Sequence, residues 1–234
     1  MALPIQKAPE YFCTLPLSKK QVKFRPFLVK EQKTLVLMQE GDNEKEMYNA
    51  LKTLVKAVSF NILDADKMAL ADLEYFFLQV RCKSVGETVK LKMPCEVEDC
   101  SGVIPFELDL NDVTVDESNV PDNNIQLSET MGVTMTYPKA SVQSKIDPND
   151  EEKTFFNILK SCIETIYDEE AVYELKDYSN KEIDEFVESL SVNQIEMIGK
   201  WLQDMPALQH DIELKCPVCE KEQLVKLKGL ESFF

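Results

Sequence analysis

Apolar and polar positions change period several times along this chain, and the changes divide it into elements. Residues 21–28, QVKFRPFL, read as a short extended piece that Pro26 confines to a sheet edge or a bend. Over 29–60 the spacing turns helical. Leu35, Leu37 and Met38 come first, then Met47, Leu51, Leu54, Val55 and Val58 recur with charges between them. Gly41 and Asp42 split that stretch into two helices. In DADKMALADLEYFFLQVRCKS a third helix carries Leu70, Leu73, Phe76, Phe77 and Val80 on one face, with Asp66 placed to cap its start.

After Gly86 the period drops to two. Val89 and Leu91 alternate with Lys90 and Lys92 up to Cys95, and Val103, Ile104, Phe106, Leu108 and Leu110 follow Cys100. This predicts strand, cysteine turn, strand over 87–110. A loop rich in Asp, Asn and Pro leads to QLSETMGVTMTYP, a further strand with Gly132 as a bulge or bend, and SKIDPNDEEK at 144–153 reads as a surface linker. Helices return over 152–167 and 179–205. Ser179 with Glu182, and Ser191 with Gln194, match the capping box, in which two side chains satisfy free backbone N–H groups, so the second region splits near Leu190. Pro206 stops it, and Leu208, His210, Ile212 and Leu214 restart the alternation in a second hairpin over 208–228. The pattern predicts an N-terminal segment, 1–20, and one α+β domain over 21–234. In that domain helices span about 29–81, a strand and loop region spans 111–150, and helices are inserted over 152–205.

The hairpins matter because of what sits in their turns. Cys95 and Cys100 lie in VKLKMPCEVEDCSGVIPFEL, and Cys216 and Cys219 in DIELKCPVCEKEQLVKL. This is the layout of a zinc ribbon built from two knuckles, here split along the chain. Four thiolates supply a closed tetrahedral shell for zinc, and the short spacing lets one tight turn aim two sulfurs at one point. With 115 residues between Cys100 and Cys216, a structural zinc would clasp the middle of the chain to its end. Reduced cysteines on ordinary hairpins are the simpler alternative. A redox role for CPVC fits poorly, because strands rather than a helix flank it and Glu220 and Glu222 oppose a thiolate. Cys13, Cys82 and Cys162 lie in or beside apolar segments and read as packing residues.

Charge narrows the choice of partner. The chain holds 42 acidic against 26 basic side chains, a net charge of −16 and a pI near 4.6, which repels phosphate backbones and anionic lipid headgroups. Nucleic acid and membrane are therefore not expected as partners. The N-terminus lacks a cationic start followed by an apolar run, and seven cysteines in such a chain point to a reducing compartment.

Catalytic signals are few. The lone histidine, His210, reads as a structural or surface residue, or as a substitute for one sulfur ligand. No Gly-rich phosphate loop or framed nucleophile occurs, and EVEDC and YDEEAVYE read as solvated faces without EF-hand spacing. A shell of four thiolates leaves no open position for substrate, so neither enzyme activity nor a small-molecule substrate is expected.

Two stretches resemble a known family. ALADLEYFFLQVRCKSVGETVKLKMPC runs from a helix through an Arg-x-Lys-Ser-x-Gly-Glu turn into strand and knuckle. DMPALQHDIELKCPVCEKEQLVKLKGLESFF opens on Met-Pro-x-Leu and closes on Gly-Leu then Phe-Phe. In order they resemble the baseplate hub assembly proteins of T-even-type contractile-tailed bacteriophages, over roughly residues 20–234 with the centre least similar. The resemblance implies a non-enzymatic role in forming the central hub, with phage baseplate hub proteins as partners. The chain would act as a chaperone in the host cytoplasm or stay as a permanent subunit of the virion baseplate. The four residues between Cys95 and Cys100 depart from the tighter pair expected, which makes metal a stabilising option rather than the family's function. A zinc-dependent regulator or metalloenzyme is the reading from another class, and it requires an open metal site. Leu227, Leu230, Phe233 and Phe234 are costly to leave in water, so they are expected either to meet the hub partner or to close the ribbon core.

Overall fold

Each alternating stretch that brackets a cysteine pair folds as an antiparallel hairpin in the computed structural model of the protein, which describes residues 7–32, 44–118, 120–146 and 150–233. In chain order the elements are β1 (Tyr11–Thr14), β2 (Gln21–Phe24), α1 (Glu44–Val58), α2 (Leu70–Val85), β3 (Thr88–Pro94), β4 (Val103–Asp109), β5 (Thr114–Val115), β6 (Asn124–Gln126) and β7 (Gly132–Met135). They continue with α3 (Glu151–Cys162), β8 (Ile163–Tyr167), β9 (Val172–Glu174), α4 (Asn180–Ser189), α5 (Val192–Asp204), β10 (Leu208–Lys215) and β11 (Glu222–Lys228). Short 3-10 turns link several of these, and the fold is α+β. A helical turn stands at 29–32, and the rest of the first predicted helix, with its divider Gly41 and Asp42, lies outside the described residues.

The chain divides into two compact units, one made of Met1–Ala65, Ala71–Asp116 and Ala207–Phe234, the other of Asp66–Leu70 and Glu117–Pro206. In the first, β1 pairs with β2, β3 with β4, and β10 lies between β11 and β5. Period-two alternation does its expected work here. Ile104 and Leu108 of β4, and Val225 and Leu227 of β11, turn inward to a core with Leu78 and Cys82 of α2, while their neighbours face water. The β1–β2 hairpin occupies part of the stretch read as a mere N-terminal segment. Its turn is fastened to α2 by Asp72, whose buried carboxylate accepts the backbone N–H groups of Leu17 and Ser18 at 2.8 and 3.0 Å.

The second unit pairs its strands in the order β6-β7-β8-β9 and buries Val133, Met135, Leu159, Ile198 and Trp201 against them. Here the helix expected over 152–167 is corrected: α3 ends at Cys162, and Ile163–Tyr167 becomes β8, paired with β7. The run IETIY is β-branched and aromatic, so it fits a pleated surface better than a helix. Asp66 is not the cap of α2; it lies in a 3-10 turn, Ala65–Lys67, ahead of the helix. The strand irregularity falls between Thr134 and Met135 rather than at Gly132, where a Cβ would overlap the Tyr167 hydroxyl. At α4, Ser179 Oγ accepts the Glu182 N–H at 3.4 Å and Glu182 Oε2 accepts the Ser179 N–H at 2.8 Å. Gln194 Oε1 likewise accepts the Ser191 N–H at 2.8 Å at the start of α5.

Candidate metal centre

The register of β3 with β4, Thr88 opposite Asp109 through Pro94 opposite Val103, leaves Cys95 and Cys100 in the connecting turn. The register of β10 with β11 ends at Lys215 opposite Glu222 and leaves Cys216 and Cys219 in theirs. Both turns are closed by backbone bonds. Cys95 N–H donates to Gly102 at 2.8 Å and Cys100 N–H to Val97 at 3.0 Å; Cys216 N–H donates to Lys221 and Glu220 N–H to Cys216, both at 3.0 Å. Asp99 at φ 63° and Glu220 at φ 57° adopt the left-handed conformation that tightens each turn without a glycine.

These turns bring the four sulfurs together, every one within 4.8 Å of the others. Cys95 Sγ lies 3.7 Å from Cys219 Sγ, and Cys100 Sγ 3.7 Å from Cys216 Sγ. A disulfide would need about 2.0 Å. Tetrahedral bonds of about 2.3 Å to one central zinc would set sulfurs about 3.8 Å apart. The spacing therefore fits four ligands around a metal ion. Cys216 is fully buried, and the other three are partly covered.

The local fields differ between the thiols. The backbone N–H groups of Cys219 and Val218 hold the Cys216 thiol down at about 7, against desolvation. At Cys95 the Val97 N–H acts downward, but desolvation and the three neighbouring sulfurs push the thiol up to about 12. The same balance raises Cys100, where the Gly102 N–H opposes desolvation and the sulfur of Cys219. A thiol held low beside two held high is a donor set that a cation would complete, with release of protons.

Two residues at the site escaped the sequence reading. A Cβ on Gly102 would stand 2.6 Å from Cys216 Sγ, 3.2 Å from Cys100 Sγ and 3.2 Å from the Val218 Cβ, so the sulfur cage fills the space a side chain needs. A glycine after the second cysteine was the available signal. Gln223 Oε1 accepts the Glu96 N–H at 3.3 Å and lies 3.5 Å from Cys95 Sγ, joining the two knuckles; nothing in its strand position announces that. His210 is not among the clustered ligands, and its Nδ1 faces the Asp112 carbonyl at 3.2 Å. Cys13 and Cys82 have thiols raised by burial, Cys13 to about 11 with Asp72 adding to the effect. Among the C-terminal residues, Leu227 and Phe233 are buried in the core of the first unit with Leu230 packed against it, and Phe234 lies outside the described residues.

Comparison with known proteins matches residues 8–234 to a family model described as T4 bacteriophage base plate protein. The chain is 22% identical to the baseplate hub assembly protein gp26 of Enterobacteria phage T4 over 228 residues, 96% of this chain and 98% of that protein. No solved structure matches.

Proposed function

The chain belongs to the T4 bacteriophage base plate protein family, and on that premise we propose that it acts in assembly of the baseplate hub, as a non-enzymatic chaperone that binds a hub subunit. The observation that carries the reading is the end-to-end similarity to a hub assembly protein, 96% of one chain against 98% of the other. Zinc bound by Cys95, Cys100, Cys216 and Cys219 has a structural part in it, as the centre of a split two-knuckle ribbon that joins the middle of the chain to its end. Sulfur spacing of 3.7 Å supports zinc at that position, and four thiolates complete its shell without room for substrate. Within the first unit the two knuckles then act as one body. No described helix is long and apolar enough to cross a membrane.

Quantitative mass spectrometry of this chain in infected-cell lysate and in purified particles tests the role. Abundance in lysate, complexed with a hub subunit and missing from particles, is the expected result. A fixed stoichiometric presence in particles would replace the chaperone reading with that of a permanent hub subunit. A chain that forms no complex with any hub protein would end both.

A further inference from the structure

The acidic charge of this protein is unevenly distributed, and the imbalance coincides with a groove. Residues 66–70 and 117–206 carry 20 acidic against 8 basic side chains, a net of −12, whereas the rest of the chain carries 22 against 18, a net of −4. Within this acidic unit, α3, the end of α4 and the start of α5 border an open groove of about 750 Å³. Its floor is apolar, with Phe156, Val187 and Ile195. Its rim carries the exposed carboxylates of Asp150, Glu152, Glu188 and Glu196 against the one exposed ammonium of its lining, that of Lys153, and Val192 on its lip is 73% exposed. Lys160 and Asp184, paired at 2.6 Å, tie α3 to α4 and set the width of the groove at that end.

We propose that this groove receives a cationic amphipathic helix of the partner bound during assembly, which rests on the hub-assembly reading and names the surface and the chemistry it uses. The groove follows α3 from Glu152 to Lys160, about 12 Å at 1.5 Å per residue, or roughly two helical turns. An apolar stripe at i, i+3 or i+4, and i+7 spans that length, with Lys and Arg flanking it toward Glu152, Glu188 and Glu196. Helical walls have their backbone groups satisfied internally, so an extended segment gains no ladder bonds here, whereas a helix arrives with its own bonds made. A second copy of the chain would bring the same −12 unit against this rim.

Calorimetry on the full chain, with a synthetic Leu/Lys amphipathic peptide and a scrambled peptide of the same composition, tests the proposal at physiological salt. The helix-forming peptide is expected to bind at least tenfold tighter than the scrambled one. The Glu188→Lys/Glu196→Lys double variant, altered only at exposed positions and checked for fold by circular dichroism, is expected to lose at least tenfold. Equal binding of both peptides would reduce the effect to charge attraction and overturn the groove. So would unchanged binding by the variant, no binding at all, or self-association of the wild type that the same variant abolishes. If the variant still complexes a hub subunit as tightly as wild type, the groove proposal fails while the hub-assembly reading stands; a wild-type chain that captures no hub subunit fails that reading instead.

Discussion

Cys100 and Cys216 stand 116 positions apart in the chain and hold their sulfurs 3.7 Å apart. Ordering so long an intervening stretch costs loop-closure entropy, and a metal that binds only the assembled sulfurs adds its binding free energy to folding.

One zinc per chain is therefore expected on elemental analysis, and Cys216→Ser should lose it. Losing the clasp, by that substitution or by a strong chelator, is expected to lower Tm by roughly 5–10 °C. Because the Cys95 and Cys100 thiols are held above their usual range, metal must displace their protons, so apparent affinity should rise with pH. A Tm indifferent to chelation, in protein that had contained zinc, would sink the claim of a structural clasp.

Gly102→Ala tests the tightness of the cage. The added methyl would meet Cys216 Sγ at 2.6 Å, with the Val218 Cβ at 3.2 Å, so a knuckle must shift to admit it. Overpacking of this kind costs about 1–3 kcal/mol. Competition with a chromogenic chelator is expected to read this as a weakening of zinc affinity of tenfold or more, and affinity equal to wild type would show that the turn has slack.

Legibility in the sequence followed the physics of each element. Alternation around the two cysteine pairs announced β3, β4, β10 and β11, because each hairpin buries one face only and a period of two has no other reading. The capping residues Ser179 and Ser191 marked the starts of α4 and α5, since a cap is a local chemical signal. The passage from α3 into β8 was hidden, because Ile163 and Ile166 prolong the helical spacing and only pairing with β7 decides the matter. Of the β1–β2 hairpin only β2 was legible, inside the extended piece at 21–28; β1 and the pairing were hidden, four residues being too few to establish a period. At the site, the ligand types were legible and the crowding around Gly102 was not, because it arises between segments far apart in sequence.

The C-terminal aromatic residue offers a separate test. Phe233 is fully buried in the core that also holds Leu214, Val225 and Leu227. Phe233→Ala is expected to cost about 3–5 kcal/mol in urea denaturation, through lost transfer energy and the cavity left behind. A variant with wild-type stability that loses only hub binding would assign this terminus to the partner contact instead.

The last prediction concerns acid. Glu31 receives Arg25 through two bonds, Nη2 to Oε1 at 2.7 Å and Nη1 to Oε2 at 2.9 Å, and its Oε2 also accepts the Leu28 N–H at 2.6 Å. Burial pushes the carboxyl up, but the guanidinium and the Leu28 N–H outweigh it and hold Glu31 below its ordinary value of 4.5. A depressed carboxyl favours the folded state while it is ionised. Its contribution is complete above pH 4.5 and is lost as pH falls through the lower, folded value. Glu31→Gln removes the ion pair with little change of shape and is expected to cost about 1–3 kcal/mol at pH 7. Other carboxylates titrate alike in both proteins, so the difference between wild type and variant isolates this group. That difference should shrink steadily as urea denaturation is repeated from pH 5 down toward pH 3, which lies about a unit and a half below the ordinary value of 4.5. A gap that stays constant to the acid end would mean that the pair stabilises through packing of the Arg25 and Glu31 stems rather than through charge.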